Sequence, residues 1–163
     1  GEIVTSGPQL MTGYLGLPDE SARALRDIDG VRHMYSGDVG YMDADGYLFL
    51  CDRAKDMLVV GGFKVFSVEI EDKLKALPDV AESAIVGAPD TKRPGNDIVH
   101  LFVQRSAQSD GTEVDAESRL RDWIRANMAP YKVPREIHFI DEIPLTPVGK
   151  IDKKKMRASL SAS

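Results

Sequence analysis

The sequence predicts an α+β protein in two parts. Short irregular strands fill residues 1–54, and a small α/β domain, with helices packed on a small sheet, fills residues 55–163. Three observations carry this. The first part is β-prone and repeatedly broken by Gly and Pro. Helical and strand-like stretches alternate after residue 55. Between the parts stands a dense charge cluster, Asp52-Arg53-Ala54-Lys55-Asp56, which is costly to bury and suits a half-buried boundary.

The elements follow in order. Residues 1–16, GEIVTSGPQLMTGYLG, read as irregular strands. Residues 18–26 open with Pro18-Asp19-Glu20, a proline and two acids suited to a first helical turn. Ser36-Gly37-Asp38 reads as a tight turn. Strands at 39–42 and 47–51 join across Asp45-Gly46, a pair that accepts the positive φ of a short hairpin turn. A second hairpin, 57–60 with 63–66, has Gly61-Gly62 at its tip. Ser67 is the expected N-cap of a helix with Glu69 and Glu71 in its first turn. Ile70, Leu74 and Leu77 form one face of that helix, and Pro78 stops it. Strands follow at 80–87 and 98–104, and the small, polar run 106–112 reads as a surface loop. A helix over 114–128 places Ala116, Leu120, Trp123, Ile124 and Met128 on one face, so Trp123 reads as core. Residues 137–143 are the last strand, and the basic tail 152–160 is helical.

Composition narrows the function. The 163 residues suffice for one cored domain, or for a small domain plus part of another. A net charge of −5 excludes nucleic acid as the main partner, because phosphate binding requires a basic surface. The single cysteine, Cys51, forms no internal disulfide and fits a reducing compartment, so a cytoplasmic location is expected. No apolar run approaches membrane-spanning length, and no transmembrane segment is expected. The chain starts inside the β-prone Glu2-Ile3-Val4, so a targeting segment is neither seen nor excluded.

Several residues suit chemistry on their own terms. Lys150 follows Gly149 in a loop entered through Pro144 and Pro147. The glycine lets the backbone bend close to a ligand, and the lysine presents a compact ammonium. From composition alone the default is a solvated lysine beside Lys153, Lys154 and Lys155. Asp38 suits a pair of hydroxyls, or the cap of its own turn. Arg53 offers a planar donor fork, for a ligand or for an ion pair with Asp52 or Asp56. Gly61 and Gly62 are accounted for by the hairpin turn alone. Lys64 reads as a solvated strand residue or a phosphate contact, and so does the basic Lys92-Arg93 loop. Asp43-x-Asp45-Gly46 lacks the third acid and the closing Glu of a calcium loop. His33, His100 and His138 are scattered without ligand spacing, so no metal site is expected.

Four motifs occur in a fixed order. They are Tyr35-Ser36-Gly37-Asp38, Asp52-Arg53-x-Lys55-Asp56, Gly61-Gly62-Phe63-Lys64-Val65 and Pro144-Leu145-Thr146-Pro147-Val148-Gly149-Lys150-Ile151. At these separations the set resembles the acyl-adenylate-forming (AMP-binding) superfamily of acyl-CoA synthetases, peptide-synthetase adenylation domains and luciferases. The likeness covers nearly the whole chain. It implies that residues 1–54 are the end of the large AMP-binding domain, in a distorted β-barrel subdomain, and that 55–163 are its mobile C-terminal domain. It implies ATP, CoA and a carboxylic acid as substrates and the N-terminal domain of the same ligase as partner.

The resemblance also implies roles. The lysine matching Lys150 contacts the substrate carboxylate and the α-phosphate of ATP, which makes Lys150 the expected catalytic residue. Asp38 and Arg53 match the ribose contacts; Ser36 stands where the family often has Thr, and both keep a hydroxyl. Lys55 matches the hinge, which is Asp in some members and Lys in others. The family's small domain rotates between an adenylating pose, which brings in the Lys150 loop, and a thioester-forming pose, which brings in the Gly61-Gly62 hairpin. There the two glycines leave room for pantetheine, and Lys64 faces CoA. Val59 departs from the lysine of luciferases and some plant-type aryl ligases, which argues against a luciferase-like second step.

The family's phosphate loop, its magnesium-associated glutamate and its acyl pocket belong upstream of these motifs and are absent from this sequence. Mg2+ is thus expected in the full-length enzyme but not ligated by this chain. The chain alone is expected to be inactive, because electrostatic catalysis requires the phosphate donors to be preorganised together. The expected parent activity is an AMP-forming carboxylate–CoA ligase of fatty-acyl or aryl type. Loading of a carrier protein, and a non-catalytic interaction or regulatory role, are the alternatives.

Overall fold

The computed structural model describes residues 1–107, 109 and 111–160. Gln108 and Asp110 of the expected loop at 106–112 lie outside the described residues. The chain forms two compact units, Gly1–Lys55 and the residues from Asp56 onward.

The first unit is organised around one long strand. Its elements are β1 (Glu2–Ser6), α1 (Pro18–Ala24), β2 (Leu25–Ile28), β3 (Val31–Met42) and β4 (Leu48–Arg53). β3 pairs antiparallel with each of the other strands. Met34 faces both Thr5 of β1 and Leu25 of β2, so these two strands hold opposite edges of β3. Val39 faces both Glu2 and Asp52, which puts β4 on the edge shared with β2. The sheet is open, and among the described residues no barrel closes.

Two expectations for this unit are corrected. The helix begins at Pro18 but ends at Ala24, because Leu25 turns extended and enters β2 as a buried residue. Ser36, Gly37 and Asp38 are not a turn but the interior of β3, at an irregularity in its pairing. Between the pairs Val4–Tyr35 and Glu2–Val39, β1 contributes only Ile3 where β3 contributes residues 36–38. Gly37 takes up the excess with a φ of 74°, a left-handed value that glycine adopts freely. The displaced polar groups find partners: Ser36 Oγ donates to the Ile3 carbonyl (2.8 Å), and the Ala54 N–H donates to the Gly37 carbonyl (2.8 Å).

The second unit is a mixed sheet with helices on it. Its elements are β5 (Leu58–Val60), β6 (Phe63–Val65), α2 (Ser67–Leu74), β7 (Val80–Pro89), β8 (Asp97–Arg105), α3 (Glu113–Asn127), a 3-10 turn at Pro130–Lys132, β9 (Glu136–Phe139) and α4 (Lys153–Leu160). β7 and β8 run antiparallel, and β9 adds to β8 in parallel. A parallel neighbour requires a crossover, and α3 supplies it. Its start carries a full capping box: the Asp115 N–H donates to Thr112 Oγ1, and the Thr112 N–H donates to Asp115 Oδ2.

Strand alternation sorts two cores. Ile85, Val99, Leu101 and Val103 face Ile70 and Leu74 of α2 and Leu120 and Ile124 of α3. Ala84, Val86 and Phe102 face Ile143, which follows β9, and Met156 of α4. Burying each such Leu, Ile or Val contributes about 1.5–3 kcal/mol. Trp123 and Met128 pack on the first core, as their helix positions predict.

Ser67 corrects another expectation. It is the first helical residue, with Phe66 at the N-cap position, and is fully buried. Its Oγ accepts from Lys153 Nζ (2.6 Å), which also meets Glu71 Oε1 (2.8 Å). That same carboxylate oxygen accepts from the Ile85 N–H at 2.7 Å. A buried ion pair thereby joins α4, α2 and β7.

Candidate functional site

In the first unit, Asp38 and Arg53 are direct cross-strand partners. Arg53 Nε lies 2.8 Å from Asp38 Oδ1, with both side chains part-exposed. Neither partner considered from the sequence, Asp52 or Asp56, takes the guanidinium in this way. Asp52 is buried and accepts from the Arg53 backbone N–H at 2.7 Å, while Asp56 pairs with Arg157 at 3.1 Å. Asp38 does not cap itself either; its N–H donates to Ser36 Oγ at 3.1 Å. The result is a carboxylate oriented by a guanidinium on a sheet edge, an arrangement that suits vicinal hydroxyls.

Asp43 also has a local task. Its Oδ1 accepts from the Asp45 and Tyr47 N–H groups at 3.0 and 2.9 Å, closing the β3–β4 loop.

In the second unit, Gly61 and Gly62 have φ of 59° and 82°, the pair of left-handed values that a two-residue hairpin turn demands. The hairpin is anchored from the β7–β8 connection. The Gly61 N–H donates to Asn96 Oδ1 (2.7 Å), and the Val59 N–H donates to Asp97 Oδ2 (2.8 Å). Phe63 stacks on Tyr131 at 4.5 Å, and a cavity of about 110 Å³ opens beside Gly61, Asn96 and Arg135. Lys64 is exposed on β6, and Lys92 and Arg93 are exposed on the loop after β7.

Lys150 sits on a tightly bonded loop. Leu145 and Ile151 bridge antiparallel. The Thr146 N–H donates to the Lys150 carbonyl (2.7 Å), and the Asp152 N–H donates to the Pro144 carbonyl (2.8 Å). Across the tip, the Gly149 N–H reaches the Thr146 carbonyl (2.9 Å), and the Lys150 N–H reaches Thr146 Oγ1 (3.2 Å). Gly149 makes the turn with a φ of 76°. The backbone of Lys150 is fixed while its side chain is exposed, so the ammonium projects from a preorganised base. Lys55 lies exposed in the turn at 54–56 that follows β4.

One grouping joins residues that are scattered in the sequence. His100 and His138, scattered in sequence, are brought together with Glu136. The parallel register pairs His100 with Glu136 and Phe102 with His138, and alternation turns the side chains of all four toward one face. His100 Nδ1 lies 3.0 Å from His138 Nε2 and 3.5 Å from Glu136 Oε2. His138 Nε2 lies 3.8 Å from the same carboxylate oxygen. Burial pushes the His100 pKa below its ordinary value; Glu136 opposes this, while His138 and Arg135 add to it. The signal within reach of sequence was Glu136-x-His138, two potential ligands on one face of a strand.

Residues 69–150 match the family model described as the AMP-binding enzyme C-terminal domain, with Lys150 the last residue matched. The chain belongs to the AMP-binding enzyme family. Among its relatives, the long-chain-fatty-acid–CoA ligase of Bacillus subtilis (strain 168) is 36% identical over 156 residues, covering 96% of this chain and 26% of the relative. Feruloyl-CoA synthase of Amycolatopsis sp is 39% identical over 159 residues, 96% of this chain and 30% of the relative. Among solved structures, ATP-bound MatB from Rhodopseudomonas palustris aligns with a TM-score of 0.82 at 31% identity, over 98% of this chain and 30% of that one. The chain therefore spans less than a third of the length of these AMP-binding enzymes. Among its described residues no helix is long and apolar enough to cross a membrane.

Proposed function

We propose that this chain is the C-terminal part of an ATP-dependent, AMP-forming carboxylate–CoA ligase. The observation that carries the reading is the likeness, over 96% of the chain, to a fatty-acid–CoA ligase and a feruloyl-CoA synthase. In this reading residues 1–54 end the large nucleotide-binding domain, and residues 55–163 form a small domain that turns about Lys55.

In the first half-reaction a carboxylate oxygen attacks the α-phosphorus of ATP. The bond to the bridging oxygen breaks, and pyrophosphate leaves. Lys150 supplies a fixed cation to the carboxylate and to the α-phosphate oxygens, where negative charge is repositioned in the transition state. Asp38 accepts the ribose hydroxyls, and Arg53 orients its carboxylate and adds its own donors. In the second half-reaction the CoA sulfur attacks the acyl carbonyl carbon, the thiol proton passes to solvent and AMP leaves. The side-chain-free tip at Gly61 and Gly62 leaves a path for pantetheine, with Lys64 beside it for the phosphates of CoA.

Magnesium accompanies ATP in this reading, but this chain does not hold it.

The test is ATP–pyrophosphate exchange by the full-length parent across fatty and aryl carboxylates, followed by mass analysis of the acylated acceptor. Acid-dependent exchange with acyl-CoA as product is the expected result, and the chain alone should show no exchange. A thioester on a carrier protein and none on CoA would replace CoA as the acceptor. A parent that never consumes ATP would leave only a non-catalytic role.

A further inference from the structure

We propose that His100, Glu136 and His138 form a binding site for a divalent transition-metal ion of the zinc type. The site rests on side chains of the second unit alone.

The first argument is geometric. Ligands about 2.0–2.1 Å from a tetrahedral zinc ion stand roughly 3.3–3.4 Å from one another. The three atoms that converge here are 3.0, 3.5 and 3.8 Å apart, which brackets that edge. One ion on the open side of this triangle reaches all three with only small side-chain adjustment. The second argument is chemical. Two imidazole nitrogens and one carboxylate oxygen are a donor set that zinc takes, leaving a fourth position for water. Hard ions such as magnesium and calcium prefer all-oxygen sites, which this is not.

The third argument is preorganisation. His100 is anchored in the middle of β8 with only 7% of its side chain exposed. The ring of His138 is stacked on Phe102, with centroids 4.7 Å apart, which sets its plane. Glu136 is 55% exposed and opens the site to an arriving ion. Arg135, next in the chain, opposes a cation there, and Glu136 counters it. Without metal, the 3.0 Å contact is an N–H···N hydrogen bond between the two rings. The ion takes the place of that shared proton.

The test is calorimetric titration of zinc chloride into the chelator-treated chain, purified without a histidine tag. One equivalent should bind with micromolar or tighter affinity. His138→Ala and Glu136→Gln should each weaken binding at least about tenfold, as loss of a ligand requires. Both changes lie at part-exposed positions outside the two hydrophobic cores, and circular dichroism checks that each variant is folded. Cobalt(II) in place of zinc should give the strong visible bands of tetrahedral coordination, lost in both variants. Absence of saturable zinc binding overturns the site and leaves the histidine hydrogen bond as the whole explanation. Binding that persists unchanged in either variant also overturns it, since the ion then lies elsewhere. Neither result bears on the ligase reading, whose readout is pyrophosphate exchange in the parent.

Discussion

Asp38 on β3 and Arg53 on β4 stand opposite each other, and their side chains meet at 2.8 Å across the strand pair. This contact exists in the protein by itself, so in the proposed reading the carboxylate is already aimed before the nucleotide arrives. A part-exposed pair of this kind contributes only about 0–1 kcal/mol to stability. Its value lies in orientation. Asp38→Ala in the parent should therefore raise the Kd for ATP at least about tenfold with little change in the unfolding midpoint, since a lost bond to charge is worth roughly 1.5–3 kcal/mol. Arg53→Ala should weaken ATP in the same direction but less. Calorimetric titration of ATP checks both, and unchanged affinity in Asp38→Ala would remove the ribose role.

Lys150→Ala should abolish adenylate formation in the parent, by about a hundredfold or more, and largely spare thioester formation from supplied acyl-AMP. The two half-reactions are read separately, by pyrophosphate exchange and by acyl-CoA release. Equal loss in both would deny the lysine its place on the α-phosphate.

Lys55→Pro should do the reverse and impair thioester formation more than adenylation. Proline fixes φ at the exposed turn where the proposed rotation occurs. If both half-reaction rates stayed normal, the hinge would lie elsewhere.

Lys153→Met should destabilise the second unit by about 3 kcal/mol, because it strands the Glu71 carboxylate in the interior. Adding Glu71→Gln should recover most of that loss, since the amide oxygen still accepts from the Ile85 N–H. Urea unfolding followed through Trp123, the single tryptophan, reads the two variants. A double variant no more stable than Lys153→Met would show that the charge is not what matters.

Acid should weaken the same unit. Burial holds the pKa of His100 below its ordinary value of 6.5, with Glu136 pulling it up and His138 and Arg135 pushing it down. The unfolded chain then binds more protons than the folded one as pH falls through 6.5, so stability is full above that value and declines below it. Between about pH 7.5 and 5.5 the chelator-treated chain should lose stability, and His100→Asn should lose less. Equal slopes would place the sensitivity on other groups.

What the sequence disclosed follows from how local each signal is. The helix α3 was legible because Ala116, Leu120 and Ile124 recur at helical spacing and all three are buried. The hairpin at Gly61-Gly62 was legible because two adjacent residues need left-handed φ. Asp29-Gly30 makes the same demand, with φ of 51° and 79°, yet β2 and the start of β3 escaped notice. Their flanks, Arg26-Asp27-Ile28 and Val31-Arg32, are exposed and lack an alternating pattern; backbone pairing alone makes them strands. Gly37 looked like a turn because a glycine signals φ without saying whether the chain reverses. Ser67 looked like a cap because its partner, Lys153, is 86 residues away. The pairing of Asp38 with Arg53, and the meeting of His100 with His138, depend on strand register, which no window of sequence contains.

Lys153 begins the helix that follows the Lys150 loop, and it is pinned to Ser67 and Glu71, while Arg157 on the same helix is tied to Asp56. The first residue after Lys55 and the loop that carries Lys150 are thus braced into one stiff piece. In the proposed rotation about Lys55 that piece is a lever whose two ends cannot drift apart. On that proposal Lys150 takes its reach from the angle of the lever rather than from the suppleness of its own loop. A change that slackens the brace, far from any substrate, would blunt the stroke and leave both ends intact.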